Sequence, residues 1–175
     1  MNLTEMALKT KTMQEPPRPG AEMWKKSRFE SFYTIPSPKA KGSKGERLAA
    51  DVMEGLNHTI LRNKKGKPIR RKGDPGHDIV VEGYLTEVKT SLTWGEELNS
   101  FTWQQIRTMQ HYDRIIFIGI NPDSVQMWWA TKGDIDKFIA GNDAYRQHGG
   151  KKGKQDLYWI QKEVPSWFKP MEEWK

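Results

Sequence analysis

The sequence predicts an α/β domain in which a mixed central sheet is flanked by helices, with an arm at each end. Three observations predict it. A short apolar run, Ile79 to Val81, is followed by Glu82-Gly83 and then by an alternating segment, Tyr84 to Thr90, which is the pattern of a hairpin. Arg114 to Ile120, read as Arg-Ile-Ile-Phe-Ile-Gly-Ile, is apolar almost throughout, as a strand covered on both faces must be. Between residues 44 and 56, Leu48, Ala49, Val52, Met53 and Leu56 recur on one helical face.

Composition sets the limits. A chain of 175 residues with 35% hydrophobic content can bury one modest core, so residues 43–175 are expected to form a single domain and residues 1–42 a basic, proline-rich arm. A net charge of +7 and a pI near 9.5 favour a polyanionic partner, nucleic acid ahead of an anionic membrane. The absence of cysteine excludes a disulfide framework and thiolate zinc sites. No apolar stretch has the length of a signal peptide or a membrane span, so the expected compartment is cytoplasmic, with no membrane partner.

In order along the chain, the arm carries Pro16, Pro17, Pro19, Pro36 and Pro38 among many basic residues. Trp24, Arg28 and Phe32 recur at helical spacing, which predicts a short helix near residues 22–32 that docks through Trp24, Phe29, Phe32 and Tyr33. Ser43-Lys44-Gly45-Glu46 has the spacing of a capping box and predicts the start of the helix over 44–56. Thr59, Ile60 and Leu61 predict a first strand over 57–63. The segment that follows gathers Arg62, Lys64, Lys65, Lys67, Arg70, Arg71 and Lys72 around Gly66 and Pro68. It reads as a track for phosphates, where such a run is more commonly a solvated loop.

The hairpin is the most informative stretch. With a two-residue turn at Glu82-Gly83, Val81 faces Tyr84, Val80 faces Leu85 and Ile79 faces Thr86. Asp78 then lands opposite Glu87, with Cβ atoms roughly 5 Å apart, and Lys89 points to the same face. Like charges opposed in a sheet repel and invite a cation between them. Two carboxylates with waters suit Mg²⁺. An ammonium beside such an ion can orient a water nucleophile or stabilise charge developing on a phosphate. The ordinary alternative is a surface ion pair between Glu87 and Lys89, but apolar residues on both faces of the hairpin imply a covered sheet, where an unpaired charge is costly.

Downstream, Phe101 to Tyr112 reads as a second helix with Gln104 and Gln105 near its start, followed by the strand over 114–120 and a further strand over 125–130 carrying Trp128 and Trp129. Asp134 caps a short helix over 135–140 that Gly141 ends. The glycine- and lysine-rich loop over 142–156 matches no Walker-type phosphate loop, and its Lys151 and Lys152 suit either a DNA contact or a plain surface. Leu157 to Ile160 reads as a last strand, and Trp167, Phe168 and Trp174 suggest a tail packed back on the core or on another subunit.

Asp78 with Glu87-Val88-Lys89 on adjacent strands resembles the signature of the PD-(D/E)XK nuclease superfamily, over roughly residues 43 to 130. One position departs from the pattern, since His77 stands where the family commonly has proline, and Asp74 just upstream is a rival for the first carboxylate. The resemblance implies a restriction-endonuclease-like fold and a DNA endonuclease. Asp78, Glu87 and the Val88 carbonyl would hold Mg²⁺, with Mn²⁺ as a substitute, Lys89 would position the attacking water, and cleavage would leave a 5′-phosphate. It further likens Glu46 to an acidic residue that reaches the metal from the preceding helix, although capping explains Glu46 equally well, and Gln104 to a glutamine that faces the site in several relatives. A compact chain of this kind suits a restriction-type enzyme acting on duplex DNA as a homodimer. A structure-specific or phage DNA-processing nuclease is the near alternative, and a non-catalytic basic DNA-binding module is the alternative of another class. A histidine-metal nuclease built on His111 or His148 lacks the partner spacing.

Overall fold

A computed structural model of the chain describes residues 20–70, 76–94, 100–150 and 155–175. Arg71, Lys72, Asp74, Lys151 and Lys152 lie outside the described residues. The architecture is a mixed five-stranded sheet flanked by helices, in the spatial order β1-β2-β4-β5-β7, with a separate two-stranded ribbon of β3 and β6. The strands are β1 (Ile79–Val81), β2 (Tyr84–Leu92), β3 (Phe101–Arg107), β4 (Arg114–Ile120), β5 (Val125–Thr131), β6 (Leu157–Lys162) and β7 (Lys169–Pro170). β2 and β4 are parallel and the other pairs in both sheets are antiparallel.

The hairpin forms in the expected register, with Val81 against Tyr84, Val80 against Leu85 and Ile79 against Thr86. Glu82 and Gly83 both have positive φ, 51° and 84°, the backbone that a two-residue turn matched to the strand twist requires. β4 is buried from end to end because both faces of the sheet are covered. On one face Ile79, Val81, Val88, Ile116 and Ile118 pack under Ala49, Ala50 and Met53 of the long helix. On the other, Ile115 and Phe117 pack against Phe101, Trp103 and Ile106 of the ribbon and Ile135 and Ile139.

Several expectations are corrected. The long helix, α3, runs over Pro38–Gly55, so Ser43 and Glu46 are interior residues and form no capping box. Its N-cap is Ser37, whose Oγ accepts from the Ala40 N–H, and Pro38 occupies the first turn, where a missing N–H costs nothing. The segment expected as a helix over 101–112 is the strand β3. Phe101 and Trp103 alternate inward and pair with β6, some fifty residues on, so a long-range ladder overrides a local pattern that fits either structure. The first strand expected over 57–63 reduces to isolated bridges, Ile60 to Val81 and Arg62 to Pro68, which lay a tight loop along the free edge of β1.

Residues 20–37 fold onto the domain through two short helices, α1 (Ala21–Trp24) and α2 (Glu30–Tyr33). Trp24 and Phe32 are buried in the core, and Trp24 stacks on Tyr33 at 5.4 Å. A last helix, α4 (Lys132–Phe138), has a capping box between Thr131 and Asp134, so Asp134 supports the cap from the third position and Thr131 is the cap itself. The tail packs back as expected. Phe168 stacks on Phe117 at 4.2 Å, and Trp174 closes with Trp129 and Tyr84 around the Arg114 guanidinium.

Candidate active site

Strand geometry places the two carboxylates. The expected pairing of Asp78 opposite Glu87 does not form: the regular β1–β2 ladder ends at Ile79, and beyond it the Asp78 N–H donates to the Thr86 carbonyl at 3.0 Å. The Asp78 side chain continues the pairing that the backbone abandons, its Oδ2 accepting from the Val88 N–H at 2.9 Å. A residue in a strand turns its N–H and C=O to the same side, so the Val88 carbonyl projects from β2 toward Asp78 as well. Glu87 and Lys89 alternate to the opposite face from Val88, and Lys89 Nζ donates to Glu87 Oε1 at 2.6 Å.

Glu87 is the unusual member. Its side chain is 7% exposed, and burial together with the nearby Asp78 carboxylate pushes its pKa up to about 7 in spite of Lys89. Asp78 lies close enough to hydrogen-bond the protonated form of Glu87. Two carboxyl groups in that relation can share a proton or a cation but are strained when both are ionised and alone. Cations flank them at present, Lys89 on Glu87 and Arg70 Nη2 on Asp78 Oδ1 at 2.8 Å.

α3 supplies a third carboxylate. Gly45 lets the helix press against β2 so closely that a Cβ built there would lie 1.9 Å from Thr90 Oγ1. The next residue, Glu46, is thereby held at the rim of the site. Burial first and Asp78 second push its pKa up, against the pull of Arg70, Lys67 and Arg47. With the capping role removed, its neighbourhood to Asp78 is what remains to explain its position.

Gln110 is the residue that the sequence reading missed. Its amide Nε2 donates to the Gly76 carbonyl at 2.7 Å and to Glu87 Oε2 at 3.1 Å, so it ties the strand carrying Glu87 to the chain entering Asp78. Nothing in its local sequence marks it, because its position depends on β3 being a strand. Gln104, expected at the site, stands exposed on β3 and lines the same cleft without a hydrogen bond to Glu87.

The cleft has a volume of about 1360 Å³ and holds Glu46, Arg70, Asp78, Glu87 and Lys89 along its floor and rim. The basic segment divides around it. Lys67 and Arg70 line the cleft, whereas Lys64 and Lys65 are exposed at the tip of the loop. Arg62 is committed elsewhere, to Asp51 at 2.8 Å and Glu54 at 2.7 Å. Among the described residues no group of three or more His, Asp and Glu side chains is placed to hold a metal ion. Asp78, Glu87 and the Val88 carbonyl instead make an open set of oxygen donors, the kind that suits an ion keeping several waters.

No family model matches this chain, and no curated protein matches it. Among solved structures, a bacterial homing endonuclease, I-Ssp6803I, is similar at 13% identity, covering 74% of this chain and 80% of that one with a TM-score of 0.43. Among the described residues, no helix is long and apolar enough to cross a membrane.

Proposed function

We propose that the chain is a Mg²⁺-dependent endonuclease that hydrolyses phosphodiester bonds in duplex DNA, restriction-type in that sequence directs the cut, with Mn²⁺ able to substitute. The observation that carries this reading is the pair of carboxyls, Asp78 and Glu87, close enough to share a proton at the floor of a cleft edged by Lys67 and Arg70, with Lys89 on one of them. Burying carboxylates that repel each other costs stability, and an ion seated between them relieves that cost.

The donor set fits the ion. Asp78, Glu87 and the Val88 carbonyl would hold Mg²⁺ and leave positions for water and a phosphate oxygen, while Glu46 lines the same cleft and adds negative charge near Asp78. When bound, Mg²⁺ supplies charge neutralisation at the scissile phosphate and acidifies a neighbouring water. Lys89 orients the attacking water from the Glu87 side and balances charge as it loses a proton. Arg70, whose side chain is 53% exposed and now pairs with Asp78, would be free to bind a non-bridging phosphate oxygen if Asp78 held the ion. The water oxygen bonds to phosphorus, the bond to the 3′ oxygen breaks, that oxygen takes a proton, and the phosphate remains on the 5′ side. A homodimer would set one such site on each strand.

Supercoiled plasmid incubated with the protein and with its Lys89→Ala variant, with and without Mg²⁺, tests the reading. The expected result is discrete metal-dependent fragments with 5′-phosphate ends, lost in the variant. Equal cutting by the variant would overturn the role of Lys89. Plasmid that is bound yet intact in both Mg²⁺ and Mn²⁺ would identify a DNA-binding module instead.

A further inference from the structure

β3 is not a regular strand along its whole length. Between Trp103 and Ile106 the register with β6 shifts, so that Trp103 faces Ile160 and Ile106 faces Tyr158. Gln104 and Gln105 therefore share the single opposing residue Trp159, which defines a bulge. Gln105 sits at φ 55°, a left-handed backbone that side chains other than glycine rarely adopt. Its N–H is pinned by Gln147 Oε1 at 3.1 Å, and Gln147 itself is buried. A regular strand would have turned one of the two glutamines inward. The bulge turns both out, and both line the cleft that holds Asp78, Glu87 and Lys89.

Strain held in place by a buried partner beside a candidate site calls for a use. Among the described residues neither glutamine side chain is engaged by a hydrogen bond, so two amides, each with an acceptor oxygen and two N–H donors, stand ready side by side. A two-stranded ribbon is the right width for the major groove, and a glutamine amide matches the N7 acceptor and N6 donor of adenine. The net charge of +7 and the cations that line the same cleft, Lys67 and Arg70, supply attraction for the backbone without sequence information.

We propose that the β3–β6 ribbon is the base-reading element of this protein, with the bulged pair Gln104 and Gln105 specifying A·T base pairs in the major groove of duplex DNA and Gln147 acting as the positioning residue that holds the bulge. This rests on the nuclease reading for the identity of the ligand, and adds to it which residues read sequence.

The test is selection of bound duplexes from a random-sequence library by full-length Lys89→Ala protein, alone and combined with Gln104→Ala, Gln104→Glu or Gln105→Gly. Glycine at 105 keeps the left-handed backbone while removing the amide. The parent should enrich a site containing an A·T pair. Gln104→Ala and Gln105→Gly should each lose roughly 5- to 150-fold of discrimination at one base pair and keep the rest of the site. Gln104→Glu should move the preference at its base pair toward cytosine, whose N4 donates to a carboxylate. That gain distinguishes base reading from damage to the fold. An unchanged selected sequence in all three variants, or no enriched sequence from the parent, overturns the proposal. Plasmid cleavage by protein with Lys89 intact separates the two readings. Changed selection without any cleavage would keep the reader and remove the nuclease, whereas cleavage with unchanged selection would do the reverse.

Discussion

At the scale of the residue, Glu87 does most to set the chemistry. Its acid form is favoured by burial first, then opposed by Lys89 and favoured again by Asp78, with the outcome a pKa of about 7. The unfolded chain releases this proton at the ordinary value of 4.5, so between 4.5 and 7 the folded state holds a proton that the unfolded state does not. Stability from this group is therefore full below 4.5 and is lost as pH rises through 7. In metal-free buffer the thermal midpoint of the native protein should fall across that interval, and Glu87→Gln, which cannot ionise, should remove that component of the fall. A divalent ion competes with the same proton, so saturating Mg²⁺ should flatten the fall in the native protein and leave the variant unmoved. Melting curves from pH 4 to 8 with and without Mg²⁺ check this, and a fall of equal size in the variant would show that another group titrates.

At the scale of the element, α3 and the hairpin explain what a sequence can and cannot disclose. The register of β1 against β2 was legible because a period of two and a turn of two residues leave no slack, so the pairs from Val81–Tyr84 to Ile79–Thr86 follow by counting. Asp78, expected opposite Glu87, lies beyond the ladder and meets the Thr86 carbonyl and the Val88 N–H instead. The start of α3 was not legible. Ser43 and Glu46 satisfy the capping spacing as well as Ser37 and Pro38 satisfy theirs, and the structure starts the helix at Pro38, which leaves Gly45 inside it against Thr90. β3 is ambiguous locally because Trp103 and Ile106 stand three apart, as on a helix, while Phe101 and Trp103 alternate, as on a strand, and the partner that settles it, β6, lies far away in sequence. Gln110 was hidden by the same ambiguity. The two glycines of α3 separate packing from propensity. Gly42 has nothing within 4 Å of an added Cβ, so Gly42→Ala should stabilise by about 0.5–1 kcal/mol through helix propensity alone. Gly45→Ala places its methyl on Thr90 and should cost about 1–3 kcal/mol by forcing the helix off β2. It should also lower cleavage, because Glu46 moves with the helix. Urea titrations of both variants measure the difference, and a Gly45→Ala protein as stable as Gly42→Ala would mean that the helix yields at no cost.

At the scale of the whole molecule, charge is distributed so that only part of it is free to act. The sequence displays a basic run from Arg62 to Lys72, and on composition alone every member counts equally toward DNA. The fold ranks them. Arg62 is spent on Asp51 and Glu54 of α3 and ties the loop to the helix, whereas Lys67 and Arg70 face the cleft beside the carboxylates. Arg70 is the intermediate case, held by Asp78 until something displaces it. Binding of duplex DNA through released counterions has a slope against log salt of about 0.9 per neutralised phosphate, so the ranking is measurable. Lys67→Ala should weaken binding and reduce the slope by about 0.9. Arg70→Ala should do so by a similar amount only when Mg²⁺ occupies Asp78, and by less in its absence, because without the ion its charge is already matched. Arg62→Ala should leave the slope unchanged while lowering the thermal midpoint, since what it loses is an attachment of the loop. Affinities measured for the Lys89→Ala background across a salt series, with and without Mg²⁺, decide the order. Equal slopes for the Lys67 and Arg62 variants would place the DNA track on another face, and an Arg70 slope indifferent to Mg²⁺ would separate that arginine from the carboxylate pair.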